Sequence, residues 1–235
     1  MKTFATILLA LLLLIANGCV QTPYETARKA NLEIAQSTIA GGGHCSATAI
    51  GPHAILTATH CEQTTDVINI RGIEKPANIL GRVRDSFDHS ILYVDATFED
   101  YATVLTGAPL TPGTDVFVWG SPSNWYQLLR KGYIAGIDRD NGALSFFNIS
   151  RPDIYLFDFQ AYPGDSGAAI YNNDGQIVAV ISMVADREIH APNGYTVRIQ
   201  LTCAFAFGFT AETWESARKW SSRTALAAPL EKGGQ

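Results

Sequence analysis

The 235-residue sequence predicts an all-β fold, a barrel or a sandwich, completed by one C-terminal helix. Three observations carry this expectation. About a dozen short apolar runs follow one another from residue 43 onward. Turn-forming stretches separate many of them: Gly51-Pro52, Thr111-Pro112-Gly113, Asp140-Asn141-Gly142 and Asn173-Asp174-Gly175. Asn, Asp and Gly tolerate the positive φ angles of tight hairpins. Long amphipathic helices do not alternate with the runs, which disfavours a parallel βαβ sheet.

In chain order, Met1-Lys2-Thr3 is a short positive start and Phe4 to Ala16 an uncharged apolar run. This reads as a signal peptide over residues 1–18, too short for a comfortable mature span. Ile15-Ala16-Asn17-Gly18-Cys19 resembles the bacterial lipobox, apart from the polar Asn17. That likeness implies lipidation of Cys19 and attachment to a membrane. The absence of Asp after the cysteine implies the outer membrane. The expected location is thus the periplasm or outer membrane of a bacterial lipoprotein, or else secretion. Residues 19–38 read as a short polar helix or tether, able to reach on the order of 60 Å if extended.

The expected strands of a first unit (39–112) are Ser46–Ile50, Ala54–Thr57, Val67–Arg71, Ile79–Val83 and Ile91–Val94. Those of a second (113–210) are Val116–Trp119, Leu128–Ile137, Leu144–Ile149, Tyr155–Phe159, Ala168–Tyr171, Gln176–Val184 and Tyr195–Gln200. A helix is expected from Ala211 to Ala227, with Thr210 as N-cap and Glu212 and Glu215 in its first turn. Residues 231–235 read as a loose tail.

Removal of residues 1–18 takes away one Lys, so the net charge of the remainder is 16 − 22 = −6. An acidic surface argues against a nucleic-acid partner. The four cysteines form no zinc pattern, and no metal or organic cofactor is expected. In an exported protein Cys45 and Cys61 are the natural disulfide pair, flanking an apolar segment. Cys203 reads as a buried free thiol.

Three segments carry chemistry. Pro163-Gly164-Asp165-Ser166-Gly167 places a serine behind a glycine. The glycine lets the Gly164 and Ser166 N–H groups converge on a developing oxyanion. A serine hydroxyl also needs a base to take its proton. Ala54-Ile-Leu-Thr-Ala-Thr-His60-Cys61 ends an apolar strand in a histidine, suited to general-base work. His44, His53, His89 and His190 lack that setting and read as surface polar residues. Phe87-Asp88-His89-Ser90-Ile91 opens a buried strand with an acid that can orient an imidazole. Asp85 and Asp95 are its neighbours in sequence, but neither opens the apolar run.

Together the three resemble the chymotrypsin-like (trypsin-like) serine peptidases. Thr-Ala-Thr-His60-Cys61 is similar to that family's Thr-Ala-Ala-His-Cys, and Asp88-His-Ser-Ile-Leu to its Asp-Ile-Ala-Leu-Leu. Gly-Asp-Ser166-Gly is unchanged. Cys45 lies sixteen residues before Cys61, as in a family disulfide. Gly120-Ser121-Pro122 and Gly132-Tyr133-Ile134 echo its bacterial members. The likeness spans about 43–210. It implies two six-stranded antiparallel β-barrels packed together. It also implies a protein or peptide substrate, a triad of His60, Asp88 and Ser166, and an oxyanion hole at Gly164 and Ser166. By sequence offset, Gln160, Ser182 and Val184 fall at the substrate pocket, where Val184 favours small apolar side chains.

One family feature is missing. Animal trypsins pair a newly cut N-terminus with the aspartate before the serine. Ile39-Ala40-Gly41-Gly42 has no preceding Lys or Arg and lies close to Cys45. Activity without cleavage is expected, with Asp165 held by another partner. Two other readings differ in class. An α/β-hydrolase esterase would use Ser166, Asp186 and His190, but Ala168 breaks its glycine pattern and helices are scarce. A catalytically silent surface-binding protein would keep the fold alone.

Overall fold

The computed structural model describes residues 22–36, 43–62, 65–107, 110–122, 127–138, 153–190 and 194–220. The signal peptide, Cys19, Ile39–Gly42, the expected strand Leu144–Ile149 and residues 221–235 lie outside them.

Of the stretch read as a short polar helix or tether, residues 22–36 do hold a short polar helix, and they are part of the folded body. Thr22 caps helix α1 (Pro23–Ala30) by accepting from Glu25 N–H, with Pro at the first helical position. Strand β1 (Asn31–Gln36) follows directly. It pairs with β2 (Gly43–Gly51) on one side and β4 (Val67–Ile70) on the other. With β3 (Ala54–Ala58), β5 (Ala77–Arg84) and β6 (His89–Val94) it closes a six-stranded antiparallel barrel, ordered β1-β2-β3-β6-β5-β4. The first barrel therefore begins at residue 31, and without β1 it could not close.

The second unit contains β7 (Asp115–Gly120), β8 (Leu128–Asp138), β9 (Ile154–Phe157), β10 (Ala169–Tyr171), β11 (Ile177–Val180), β12 (Met183–His190) and β13 (Thr196–Phe205). They form one sheet ordered β11-β10-β7-β8-β9-β13-β12. Its two edge strands are consecutive in the chain, separated only by Ile181-Ser182. Ile181 N–H bonds Ala168 O at 2.9 Å, and Ser182 N–H bonds Cys203 O at 3.1 Å. The sheet thus rolls until its ends meet on one stretch of chain. The expected strand Gln176–Val184 breaks there because its two halves pair with different neighbours.

Period-two alternation places the core. Ile55, Leu92 and Ala47 point into the first barrel. Val118, Ile170 and Ala179 point into the second. Their neighbours Leu56, Ile91, Phe117, Tyr171 and Val180 meet between the barrels. Both faces of these strands are buried, which is why they read as unbroken apolar runs rather than alternating ones. Each large side chain so buried contributes about 1.5–3 kcal/mol.

Helix α2 (Ala211–Lys219) is capped by Thr210, which accepts from Thr213 N–H at 3.2 Å. It ends at the Trp220 cap, before the expected Ala227. Both helices pack on the inter-barrel core, through Ala27 and Ala30 of α1 and Ala217 of α2. Among the described residues no helix is long and apolar enough to cross a membrane.

Candidate active site

The β3 strand ends in a single 3-10 turn, Thr59–Cys61, which lifts His60 out of the first barrel. Cys61 is tied to Cys45 of β2 as expected, with Cα atoms 6.0 Å apart. Closing a loop of this size stabilises by about 3 kcal/mol. Both sulfurs are consumed by that bond, so their closeness to His60 does not make a thiolate metal site.

Asp88 sits between β5 and β6 at φ 70°, in the left-handed region that Asp tolerates better than most residues. It grips the histidine turn three times. Thr59 N–H donates to Asp88 O at 2.9 Å, and His60 N–H donates to Asp88 Oδ1 at 3.0 Å. His60 Nδ1 lies 2.9 Å from Asp88 Oδ2. A carboxylate can only accept, so Nδ1 carries the hydrogen and Nε2 is left as the basic nitrogen. The turn bearing Asp88 is braced by Asp85, which accepts from the N–H groups of Phe87, His89 and Gly208.

Asp85 also pairs with His89 Nδ1 at 2.7 Å. Burial alone would raise the Asp85 carboxyl. The bond to His89, its charge and the two N–H donors Gly208 and Phe87 outweigh that and hold it below the ordinary value. His89 is fully buried between Phe207 and Phe209, not a surface residue as expected from sequence. Its ring serves this brace. Glu62, just past the histidine turn, keeps its side chain nearly covered, at 4% exposed, and pairs it with Arg84.

Ser166 lies in a turn closed by Ala168 N–H to Asp165 O at 2.8 Å, directly after one closed by Asp165 N–H to Tyr162 O at 2.9 Å. Ser166 O is 3.6 Å from Cys61 Sγ, and a ring nitrogen of His60 is within 4.8 Å of the same sulfur. The disulfide is therefore where the serine turn and the histidine turn meet. Gly164 has φ 100°, a conformation that L side chains avoid. A Cβ there would strike the His44 ring and Ser121 O. His44 thus packs on this loop, which its sequence setting did not suggest.

Asp165 has the expected alternative partner. Its fully buried carboxylate is clamped by both terminal nitrogens of Arg130 from β8, with Arg130 Nη2 to Asp165 Oδ1 at 2.6 Å. Tyr162 N–H adds a third bond at 2.8 Å, and Arg130 Nη1 also donates to Gln160 O at 2.9 Å. Gly120 leaves room for this pair, since a Cβ there would collide with Asp165 Oδ1 and Arg130 Nη2. Breaking a buried pair by removing one partner costs about 3–5 kcal/mol. Arg130→Met is expected to lower urea-unfolding stability by that amount, with Arg130→Met/Asp165→Asn recovering part of it. A single variant within 1 kcal/mol of the parent would contradict this role (~1 kcal/mol is the net worth of one ordinary hydrogen bond).

Of the expected pocket residues, Gln160 lines an open cavity of about 370 Å³ with Asp158, Phe159, Arg198 and Gln200. Gln160 Nε2 donates to Gln200 Oε1 at 2.9 Å, and Tyr162 Oη donates to Gln160 Oε1 at 3.0 Å. Ser182 is buried, with no protein partner for its hydroxyl among the described residues. Val184 is 39% exposed and does not line that cavity. Cys203 is a buried free thiol, as expected, and burial pushes its pKa up to about 11. Iodoacetamide at pH 8 is expected to modify it only after unfolding. Stoichiometric modification of the native protein would contradict this.

The second unit is a rolled seven-stranded sheet, a half-barrel rather than the expected closed six-stranded barrel. A closed barrel and such a half-barrel, meeting over a histidine–aspartate pair and a serine turn, define the chymotrypsin-like class of serine peptidases. A family model described as a trypsin-like peptidase domain matches residues 45–180, more than half of the chain, and the chain belongs to that family. It is a serine endopeptidase, a hydrolase of protein or peptide substrates.

Solved structures show the same fold at low identity. The serine endoprotease from Yersinia pestis is 20% identical at TM-score 0.59, over 85% of this chain and 68% of that one. The Rv3671c protease from M. tuberculosis in its active form is 19% identical at TM-score 0.60, over 79% of each chain. The HtrA-type protease AlgW with a tripeptide is 20% identical at TM-score 0.61, over 83% of this chain but only 64% of that one. No curated protein matches the chain in sequence.

Proposed function

We propose that the chain cleaves peptide bonds through an acyl-enzyme on Ser166, with His60 as general base and acid. Asp88 fixes the imidazole tautomer and stabilises the imidazolium. The Gly164 and Ser166 N–H groups receive the oxyanion. The observation that carries this is the double grip of Asp88 on His60, backbone and ring together, beside the Ser166 turn. A binding protein without catalysis would have no use for a carboxylate aimed at one ring nitrogen so that the other is basic. The mostly β architecture, with the chain order His, Asp, Ser, disfavours the α/β-hydrolase reading.

Because Arg130 already holds Asp165, no new N-terminus is needed to form the loop. The enzyme is made active without cleavage near Ile39. Export and a lipid at Cys19 follow from the apolar run Phe4–Ala16 and the lipobox-like Ile15–Cys19. Since α1 starts at Pro23, four residues past Cys19, the barrels ride close to the membrane rather than on a long tether. The acidic charge supports no nucleic-acid partner.

The test is hydrolysis of an unfolded polypeptide by the purified enzyme. Cleavage that a fluorophosphonate stops and a chelator does not is the expected result. Cleavage untouched by fluorophosphonate but lost on chelation would overturn the proposal.

A further inference from the structure

Ser46, on β2 beside the disulfide, belongs to the first barrel, yet its polar atoms reach into the second. Its N–H donates to Ser166 O at 2.8 Å, and its Oγ donates to Gly164 O at 2.8 Å. The same Oγ accepts from Ser121 N–H at 3.0 Å, and Ser46 O accepts from Thr57 Oγ1 at 2.9 Å. The residue is fully buried, and its hydroxyl both donates and accepts.

The consequence is geometric. The peptide that carries the Gly164 carbonyl lies between the two peptides whose N–H groups, of Gly164 and Ser166, form the proposed hole, so its orientation sets theirs. Gly164 is the residue most free to turn, because it lacks a Cβ and sits at φ 100°. Ser46 binds the carbonyls on both sides of Asp165, one with its side chain and one with its backbone. Both carbonyls are thereby drawn toward the first barrel. Arg130 holds Asp165 from the second barrel, so the loop is gripped from two directions.

We infer that Ser46 is a positioning residue for the oxyanion hole, fixing the Gly164 carbonyl so that the loop stays in its catalytic shape across the barrel interface. This rests on the proposed assignment of Gly164 and Ser166 to the hole. Ser46 touches no reacting atom. Its loss therefore acts on transition-state stabilisation and leaves ground-state binding nearly untouched.

The experiment compares parent, Ser46→Ala and Ser46→Cys, each normalised by fluorophosphonate titration taken to completion. Removing a hole donor outright costs about 10²–10³ in rate, so loosening the loop should lower kcat about 10- to 100-fold, with KM within about twofold. Binding of a peptide aldehyde, whose carbonyl adds to Ser166 and places its oxygen in the hole, should weaken by the same factor as kcat. Ser46→Cys keeps the shape with a weaker donor and should fall between. If the alanine variant does not fold, the cysteine variant carries the comparison. Parental kcat per titrated site in the folded variants, or a loss confined to KM, overturns the inference. A parent enzyme that never labels at Ser166 removes the underlying assignment, before any variant is compared.

Discussion

Replacing Ser166 by alanine is expected to lower kcat by about 10⁶ while leaving the fold and KM nearly intact. Ser166 contributes no large side chain to the core, and its carbonyl bond to Ser46 survives the substitution. The stability change should therefore be within about 0.5 kcal/mol. What disappears is the only step that splits hydrolysis into acylation and deacylation. The oxyanion donors and the bound substrate geometry remain, so a residue of about 10³–10⁴ over water should persist. The measurement is single-turnover hydrolysis of a peptide ester at neutral pH. A Ser166→Ala protein within tenfold of the parent would mean that the nucleophile lies elsewhere.

Asp88→Asn is expected to lower kcat by about 10⁴ at neutral pH. The amide keeps nearly the same shape, and its oxygen can still accept from His60 N–H. An amide nitrogen presented to Nδ1, however, favours the tautomer with the hydrogen on Nε2, where the base is required. The negative charge that stabilises the imidazolium is lost as well. The backbone at φ 70° suits Asn as well as Asp, so the turn should hold. The variant should fold with parental stability to within about 1 kcal/mol and label slowly with fluorophosphonate. Parental kcat in Asp88→Asn would show that His60 is oriented by something else.

The two expected effects differ because, in the proposed mechanism, the carboxylate only tunes a base, whereas the serine makes the bond. Arg130 belongs to a third kind. Its guanidinium is engaged by the Asp165 carboxylate and the Gln160 carbonyl, so its loss should register first as stability and only then as rate.

Much of the candidate site was legible because its parts are local. The histidine turn, the aspartate before β6 and the serine turn each carry their meaning within a few residues. The strands around them were legible for the same reason: Ile55, Leu56, Ile91 and Leu92 face two different cores, so the runs are wholly apolar. What escaped is what the tertiary structure brings together. Strand β1 follows directly on a charged helix, and among its apolar residues Ile34 alone is fully buried, so Asn31–Gln36 reads as a continuation of a polar tether. Arg130 sits in the polar part of a long strand, thirty-five residues from Asp165, and nothing in Leu-Leu-Arg-Lys-Gly marks it as buried. His89 looks like an ordinary polar residue until the Phe207–Phe209 segment is folded over it. Ser46 is hidden by its size, since a small residue in an apolar strand shows no sign of the two carbonyls it will meet.

The central claim is that His60, Asp88 and Ser166 act as one unit in an enzyme that needs no activating cut. It is tested most directly by treating the uncleaved protein with a fluorophosphonate and locating the adduct by mass spectrometry. The account predicts one equivalent on Ser166, formed rapidly in the parent, with residues on both sides of Ile39 still joined, and formed slowly in His60→Ala. An adduct on another serine, or labelling that begins only after the chain is cut before Ile39, would contradict it.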